Sequence, residues 1–159
     1  MKTINKISFN DIESIPQLVK DFLNQKIEGF ENNTFSLDHF RQQIHLKKDS
    51  FSSEQRNTLS DVFEGQLSDL SLSSKQRENL ENLKLPNTFT ITTGHQLNLF
   101  SGPLYFLYKI ISTINLTKEL KSKYPSYNFV PVYWMATEDH DFEEINHVSV
   151  DEKNISWIQ

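Results

Sequence analysis

"TFTITTGHQLNLFSGPLYFLYKIISTINLTKELKSKY", Thr88 to Tyr124, read together with "FVPVYWMA", Phe129 to Ala136, decides the fold. Thr88 to Thr93 is β-branched and aromatic, which predicts a strand. "GHQLNLFSG" then reads as a loop bracketed by Gly94 and Gly102. Pro103 stands where a helix tolerates proline best, in its first turn, because the missing N–H would have no partner there anyway. The helix that follows is apolar nearly all round in its first half, so burial on more than one side is expected. Its second half turns polar and lysine-rich, which suits a C-terminus, and Pro125 forbids easy continuation. Phe129 to Ala136 is a continuous apolar run, the pattern of a strand covered on both faces. Pro131 points to a place near that strand's start or at an edge.

Strand, loop, helix and strand make a βαβ unit with parallel strands and a right-handed crossover. Parallel strands end on the same rim of the sheet, so Thr93 and Ala136 are expected side by side. In open α/β sheets that rim holds the ligand. "TGHQ" and "TEDHD" are therefore expected to approach each other. "EKNISWIQ" at the end reads as the start of another strand. Two parallel strands do not finish a core. Residues 86–159 thus read as the incomplete start of an α/β domain, and the chain as the N-terminal part of a longer protein.

Residues 1–85 are polar and read as a helical segment. Asn10 with Glu13 has the pattern of a capping box ahead of "IESIPQLVKDFLNQ", with Pro16 limiting how early that helix begins. Ser36 is placed to cap "LDHFRQQIHLKK". Ser52 with Gln55, and Ser73 with Gln76, repeat the capping-box pattern before "EQRNTLSDVFEGQLSDL" and "KQRENLENL".

The 159 residues are 36% apolar, with 12 Phe and a net charge of −5. The negative balance argues against nucleic acid or an anionic membrane as the main partner. Without cysteine there is no disulfide framework and no Cys-zinc site. "MKTINKISFNDIES" has no apolar core of a secretory signal, and the apolar stretches are far short of a membrane span. A soluble cytoplasmic protein is expected.

The chemistry concentrates in three places. In "TEDHDFEEINH", Thr137 to His147, five carboxylates and two histidines fall within eleven residues, and no Lys or Arg lies between Phe129 and Val150. The ordinary explanation is an acid-rich helix start, worth ~0.3–1 kcal/mol per carboxylate at the macrodipole. Yet Glu138, Asp139 and Asp141 repel one another unless something positive arrives: Lys109, a substrate ammonium or a metal. An amine substrate gives His140 the task of general base, its ring oriented by a neighbouring carboxylate. On a helix, His140, Glu144 and His147 also share one face, a spacing compatible with zinc although not the compact HExxH pattern. That second reading is a metal-dependent hydrolase of an amide or amino sugar.

The second place is "TTGHQLNLFSGP". Gly94 permits close backbone approach. The N–H groups around Gly102 at the helix start can hold a carboxylate or phosphate, with His95 and Gln96 as further donors. The plain alternative is a turn that needs its glycines, with His95 as surface decoration. Neither standard nucleotide fingerprint is present. The third is Lys109, between Tyr108 and Ile110, which either snorkels to solvent or meets a carboxylate. Tyr105, one turn earlier, presents a hydroxyl on the same side.

"TGHQLNLFSGPLYFLYK" followed by "VPVYWMATEDHDFEEINH" resembles the bacillithiol biosynthesis cysteine-adding enzyme family (BshC, the cysteine ligases). The similarity is strongest from Asn87 to Val148. "ISFNDIESIPQLVKDFLNQ" also looks like that family's helical start, and the chain matches only the N-terminal portion of the family's usual length. The resemblance implies a ligase that adds cysteine to the amino group of glucosaminyl malate. It also implies a Rossmann-like core and a C-terminal coiled coil that makes the full-length protein a homodimer. Matching positions are Thr93, Gly94, His95, Gln96, Gly102, Pro103, Tyr105 and Lys109, then Trp134, Glu138, Asp139, His140, Asp141, Glu144 and Asn146. Many relatives have a second Gln where this chain has His95.

The combined expectation is amide-bond formation. His140 or Asp139 takes the proton of the sugar amine, and Asp141 and Glu138 position it. Thr93, Gly94, His95, Gln96, Gly102, Tyr105, Lys109, Trp134 and Asn146 bind substrate. No metal is expected; a nucleotide such as ATP or ADP is compatible with the site. A third reading makes this stretch alone an inactive structural piece of the ligase.

Overall fold

The structure, a computed structural model, describes residues 5–30, 36–98, 100, 102–138 and 142–158, without the side chain of Glu144. Backbone contacts divide it into two units, Met1–Lys47 and Lys48–Gln159.

In the first unit, Ser8 caps a short 3-10 turn, Phe9–Asp11, its hydroxyl accepting from the Asn10 N–H at 3.3 Å. Asn10 is therefore inside the turn and not its cap. The capping box expected of Asn10 and Glu13 does not form, because helix α1, Gln17–Leu23, starts only after Pro16. Instead the Asn10 side chain accepts from Asn24 at 2.8 Å, and its carbonyl accepts from Lys20 at 3.1 Å. Helix α2, His39–Lys48, follows a turn in which the Ser36 hydroxyl accepts from the Asp38 N–H at 3.2 Å.

The second unit begins with α3, Ser53–Gln66, and α4, Ser74–Leu83. Both carry the expected capping boxes: Ser52 with Gln55 and Ser73 with Gln76 exchange hydroxyl and amide bonds in both directions. Each box satisfies two orphan donors at a helix start. Strand β1, Thr88–Gln96, helix α5, Leu104–Lys123, and strand β2, Asn128–Ala136, form the βαβ unit. The strands are parallel, with Thr88 opposite Asn128 and Gln96 opposite Ala136. A four-residue helix α6, Phe142–Ile145, leads into an antiparallel hairpin of β3, His147–Val150, and β4, Lys153–Ser156. The last apolar stretch is thus a strand, paired in its own hairpin and not added to the parallel sheet. No helix among the described residues is long and apolar enough to cross a membrane.

Helix α5 packs on both strands, and α4 touches both as well. Phe129 and Val130 are adjacent in β2 and both buried. Successive strand residues point to opposite faces, so the start of β2 is covered on both sides. The other end is not: Tyr133, Trp134 and Met135 are 37%, 60% and 57% exposed. The expectation of a strand buried throughout therefore holds for its first half only.

Helix α5 departs from expectation in the same way. Its buried positions are Thr113, Thr117 and Leu120, in line with half-buried Phe106 and Ile110. That stripe faces the sheet at helical spacing. The two threonine hydroxyls turn back onto the carbonyls of Lys109, at 2.9 Å, and Ile114, at 2.7 Å, so no polar atom is stranded. Leu104, Leu107, Ile111 and Ile114 face outward and are exposed. A helix apolar all round needs two partners, and among the described residues α5 has one.

Two cations fasten this unit. Arg56 of α3 is buried and donates to the carbonyls of Thr88 at 3.0 Å and of Leu83 and Pro86 at 3.5 Å, with the Phe51 ring 5.5 Å from its guanidinium. Burial pulls its pKa below the ordinary arginine value. It stays cationic at neutral pH, because an arginine starts so far above it. Lys121 near the end of α5 donates to the carbonyls of Pro125 and Tyr127, each at 2.9 Å, and to the Asn128 side chain at 3.1 Å. It thereby sets the turn into β2.

Candidate functional site

The sheet rim is set by register. Gly94 pairs with Trp134, His95 with Met135 and Gln96 with Ala136. β1 thus runs three residues past the expected strand end, and Gly94, His95 and Gln96 are strand residues. Glycine at 94 has a steric reason: a Cβ there would lie 2.7 Å from the Trp134 carbonyl oxygen and 3.0 Å from its Cβ. The neighbouring backbone occupies the space a side chain would need.

His95 is the hub. Its Nε2 lies 2.7 Å from the Tyr105 hydroxyl, and its Nδ1 lies 2.8 Å from the Asn98 amide nitrogen and 3.1 Å from the Gln96 carbonyl. Phe106 meets the imidazole edge-on at 5.8 Å, and Tyr133 meets Phe106 edge-on at 5.7 Å. The Tyr133 hydroxyl returns to donate to the His95 carbonyl at 3.2 Å. Partial desolvation pushes the Tyr133 phenol above its ordinary pKa. His95 is therefore held on both nitrogens and on one ring edge, which rules out surface decoration.

Lys109 neither snorkels away nor meets a carboxylate among the described residues; its ammonium donates to the Gly94 carbonyl. Tyr105 and Lys109 sit one turn apart on α5, so hydroxyl and ammonium are presented together at the rim. Gly102, at φ +61°, faces Asn98: a Cβ would come within 2.7 to 2.8 Å of three Asn98 side-chain atoms. Its left-handed backbone and this contact both call for glycine. Thr93 pairs with Tyr133 in the ladder, just inside the rim.

On the facing strand, the Trp134 indole N–H donates to the Glu138 carboxylate at 3.4 Å. Asp139, His140 and Asp141 lie outside the described residues. Asn146 belongs to the hairpin: its side-chain oxygen is 3.1 Å from His147 Nδ1, and its carbonyl accepts from the Trp157 N–H at 2.6 Å. The helical position expected of His147 does not hold, and His140 and the Glu144 side chain lie outside the described residues. Helix α6 ends at Ile145 and His147 opens β3, where side chains alternate with period two. Among the described residues no group of three His, Cys, Asp or Glu is placed to hold a metal.

The site thus brings together Gly94, His95, Tyr105 and Lys109, with Trp134 on the adjoining strand and Glu138 just past its end. Asn98 and Tyr133 were not legible as members. Asn98 looked like a loop polar residue and Tyr133 like one more apolar strand position; a side-chain amide three residues past a histidine was the available signal for Asn98. A shallow groove of about 380 Å³ opens between α3 and α4, lined by residues including Glu64, Leu70, Arg77 and Lys84. It shares no residue with the rim.

The model of the family described as "Bacillithiol biosynthesis BshC, N-terminal Rossmann-like domain" matches residues 2–159. The protein named "Putative cysteine ligase BshC" in Flavobacterium johnsoniae is 56% identical over 153 residues, covering 95% of this chain and 29% of that protein. Its namesake in Christiangramia forsetii is 51% identical over 155 residues, 96% of this chain and 29% of the relative. That of Cytophaga hutchinsonii is 39% identical over 155 residues, 98% and 30% respectively. The chain spans less than a third of the length of these curated relatives.

Proposed function

This chain belongs to the bacillithiol biosynthesis BshC family, as its N-terminal Rossmann-like domain, and from that premise we propose that it supplies one wall of a cysteine ligase site. The reaction joins the carboxyl group of cysteine to the amino group of glucosaminyl malate. The sugar amine gives up a proton to His140 or Asp139 and attacks the activated carboxyl carbon, forming the C–N bond as the activating group leaves. Asp141 and Glu138 position the ammonium before that step and the base during it. Gln96 and the backbone around Gly102 hold an acid group of substrate or nucleotide, while His95, whose two ring nitrogens are engaged by Tyr105 and Asn98, orients the Tyr105 hydroxyl toward it. Lys109 neutralises that carboxylate or an acyl-activating phosphate, and Tyr105 adds a hydroxyl donor. Thr93, Trp134 and Asn146 complete the walls. A nucleotide such as ATP or ADP is the source of activation that fits this scheme.

The observation that carries the reading is the rim register. With Gln96 opposite Ala136, the strand that leads to Tyr105 and Lys109 ends beside the strand that leads into the acid cluster. Donors for an anion thus start on one strand and acceptors for an ammonium on the next, as a substrate carrying both groups requires. Turnover belongs to the full-length architecture, in which we expect a homodimer built on a C-terminal coiled coil. A cytoplasmic location suits a product whose thiol must stay reduced.

The test uses a full-length relative with His140→Ala and Asp139→Asn at the aligned positions. Bacillithiol formation should disappear while the melting temperature holds. Unchanged thiol output in cells rejects the roles given to these residues.

A further inference from the structure

The Asn98 amide nitrogen lies 2.9 Å from the Gln96 carbonyl oxygen and 2.8 Å from His95 Nδ1. A peptide carbonyl only accepts, so the Asn98 atom facing it must be the amide nitrogen; this contact fixes which way the amide points. That nitrogen carries two hydrogens. One goes to Gln96, and the other points at His95 Nδ1. An N–H on Nδ1 would oppose it directly, so Nδ1 keeps its lone pair and the ring proton sits on Nε2. From Nε2 the proton is donated to the Tyr105 oxygen, 2.7 Å away. The phenol's own hydrogen must then point away from the ring.

We infer that Asn98 is a positioning residue that locks His95 in its Nε2–H tautomer and so makes Tyr105 a dedicated donor to an anionic oxygen bound at the rim beside Lys109. The competing state is close at hand. His95 Nδ1 is 3.1 Å from the Gln96 carbonyl, so without Asn98 an Nδ1–H bonds there instead. Nε2 then becomes an acceptor, and Tyr105 turns its proton inward. Gly102 serves the lock, because any side chain there would displace Asn98. The anion would be a carboxylate or a phosphate. That it is the substrate's acid group rests on the ligase reading; the tautomer does not.

Long-range nitrogen–proton correlation NMR on the 159-residue chain reads the tautomer directly, with His95→Gln identifying the resonances among the five histidines. The parent should show a protonated Nε2 and a bare Nδ1. Asn98→Ala should move the proton to Nδ1, and Tyr105→Phe should leave it on Nε2. A parent with Nδ1–H, or an Asn98→Ala variant unchanged from the parent, overturns the lock. Malate is the anion probe. It should shift the resonances of Tyr105 and Lys109, and Asn98→Ala should weaken it about tenfold, the loss of one good hydrogen bond. In a His95→Gln background, where an amide N–H replaces the ring and has no tautomer to lose, Asn98→Ala should cost nothing further. Absent malate shifts, or equal affinity in parent and Asn98→Ala, overturn the donor role even where the tautomer is as stated. A full-length relative that binds malate in this way but makes no bacillithiol refutes the ligase reading alone.

Discussion

Gly94→Ala should destabilise the chain by closing a gap that the parallel register leaves at zero tolerance. The added Cβ would sit 2.7 Å from the Trp134 carbonyl oxygen and 3.0 Å from Trp134 Cβ, where ordinary contacts begin near 3.4 Å. Relief requires β2 to retreat by about 0.7 Å, which stretches the adjoining ladder bonds toward ~3.6 Å, beyond useful hydrogen-bond length. The nearest obstructing atom is a backbone oxygen of a paired strand and the next is the Cβ fixed to that backbone, not the end of a flexible side chain, so the shift is shared by the whole rim. Overpacking of this kind costs ~1–3 kcal/mol. At this chain length that lowers the melting temperature by about 3–10 °C. Gly65 in α3 is the matched control, since a Cβ there meets nothing within 4 Å. Gly65→Ala gains roughly 0.5–1 kcal/mol from reduced backbone freedom, a rise of about 1–3 °C. Thermal unfolding followed by far-UV circular dichroism reads both. Gly94→Ala melting at or above the parent temperature would refute the steric account of this glycine, and with it the register.

Arg56→Met should cost ~2–4 kcal/mol in urea unfolding, because it strips donors from three carbonyls at the entry to β1. Arg56→Lys should recover little of this, since an ammonium cannot reproduce the planar fork; a loss below ~1 kcal/mol in Arg56→Met would sink the assignment. Tyr133 gives a pH dependence. Its raised pKa means the folded state keeps the phenol proton at a pH where the unfolded chain has begun to lose it. The folded state then binds more protons, so stability falls as pH rises. The contribution is whole below pH ~10 and is lost as pH climbs through the folded value. Tyr133→Phe should flatten the denaturation midpoint between pH ~9 and ~11, and an unchanged slope would contradict the partial desolvation of that hydroxyl.

The parts of the fold that were readable from sequence are those where local chemistry and tertiary packing agree. Ser52–Gln55 and Ser73–Gln76 each close a capping box within four residues, so nothing distant can overrule them. Pro103 and Pro125 bracket α5 for the same reason. Asn10 with Glu13 failed because Pro16, three residues on, postponed the helix and left Ser8 to cap a separate turn. The larger difference concerns α5. Its apolar first half predicts burial on more than one side, whereas one stripe that includes Thr113 and Thr117 faces the sheet and an apolar stripe is exposed. A threonine on a helix satisfies its own hydroxyl by bonding back one turn, so in packing it counts as a small β-branched apolar residue. Composition cannot tell such a stripe from a polar one. The site follows the same logic. That β1 and β2 end together was readable, because parallel pairing requires it. That a single amide at Asn98 decides which nitrogen of His95 holds the proton was not, because it depends on two distances that no spacing rule encodes. The chemistry of the rim is set there, by whether Tyr105 faces its ligand as a donor or has spent its proton inward.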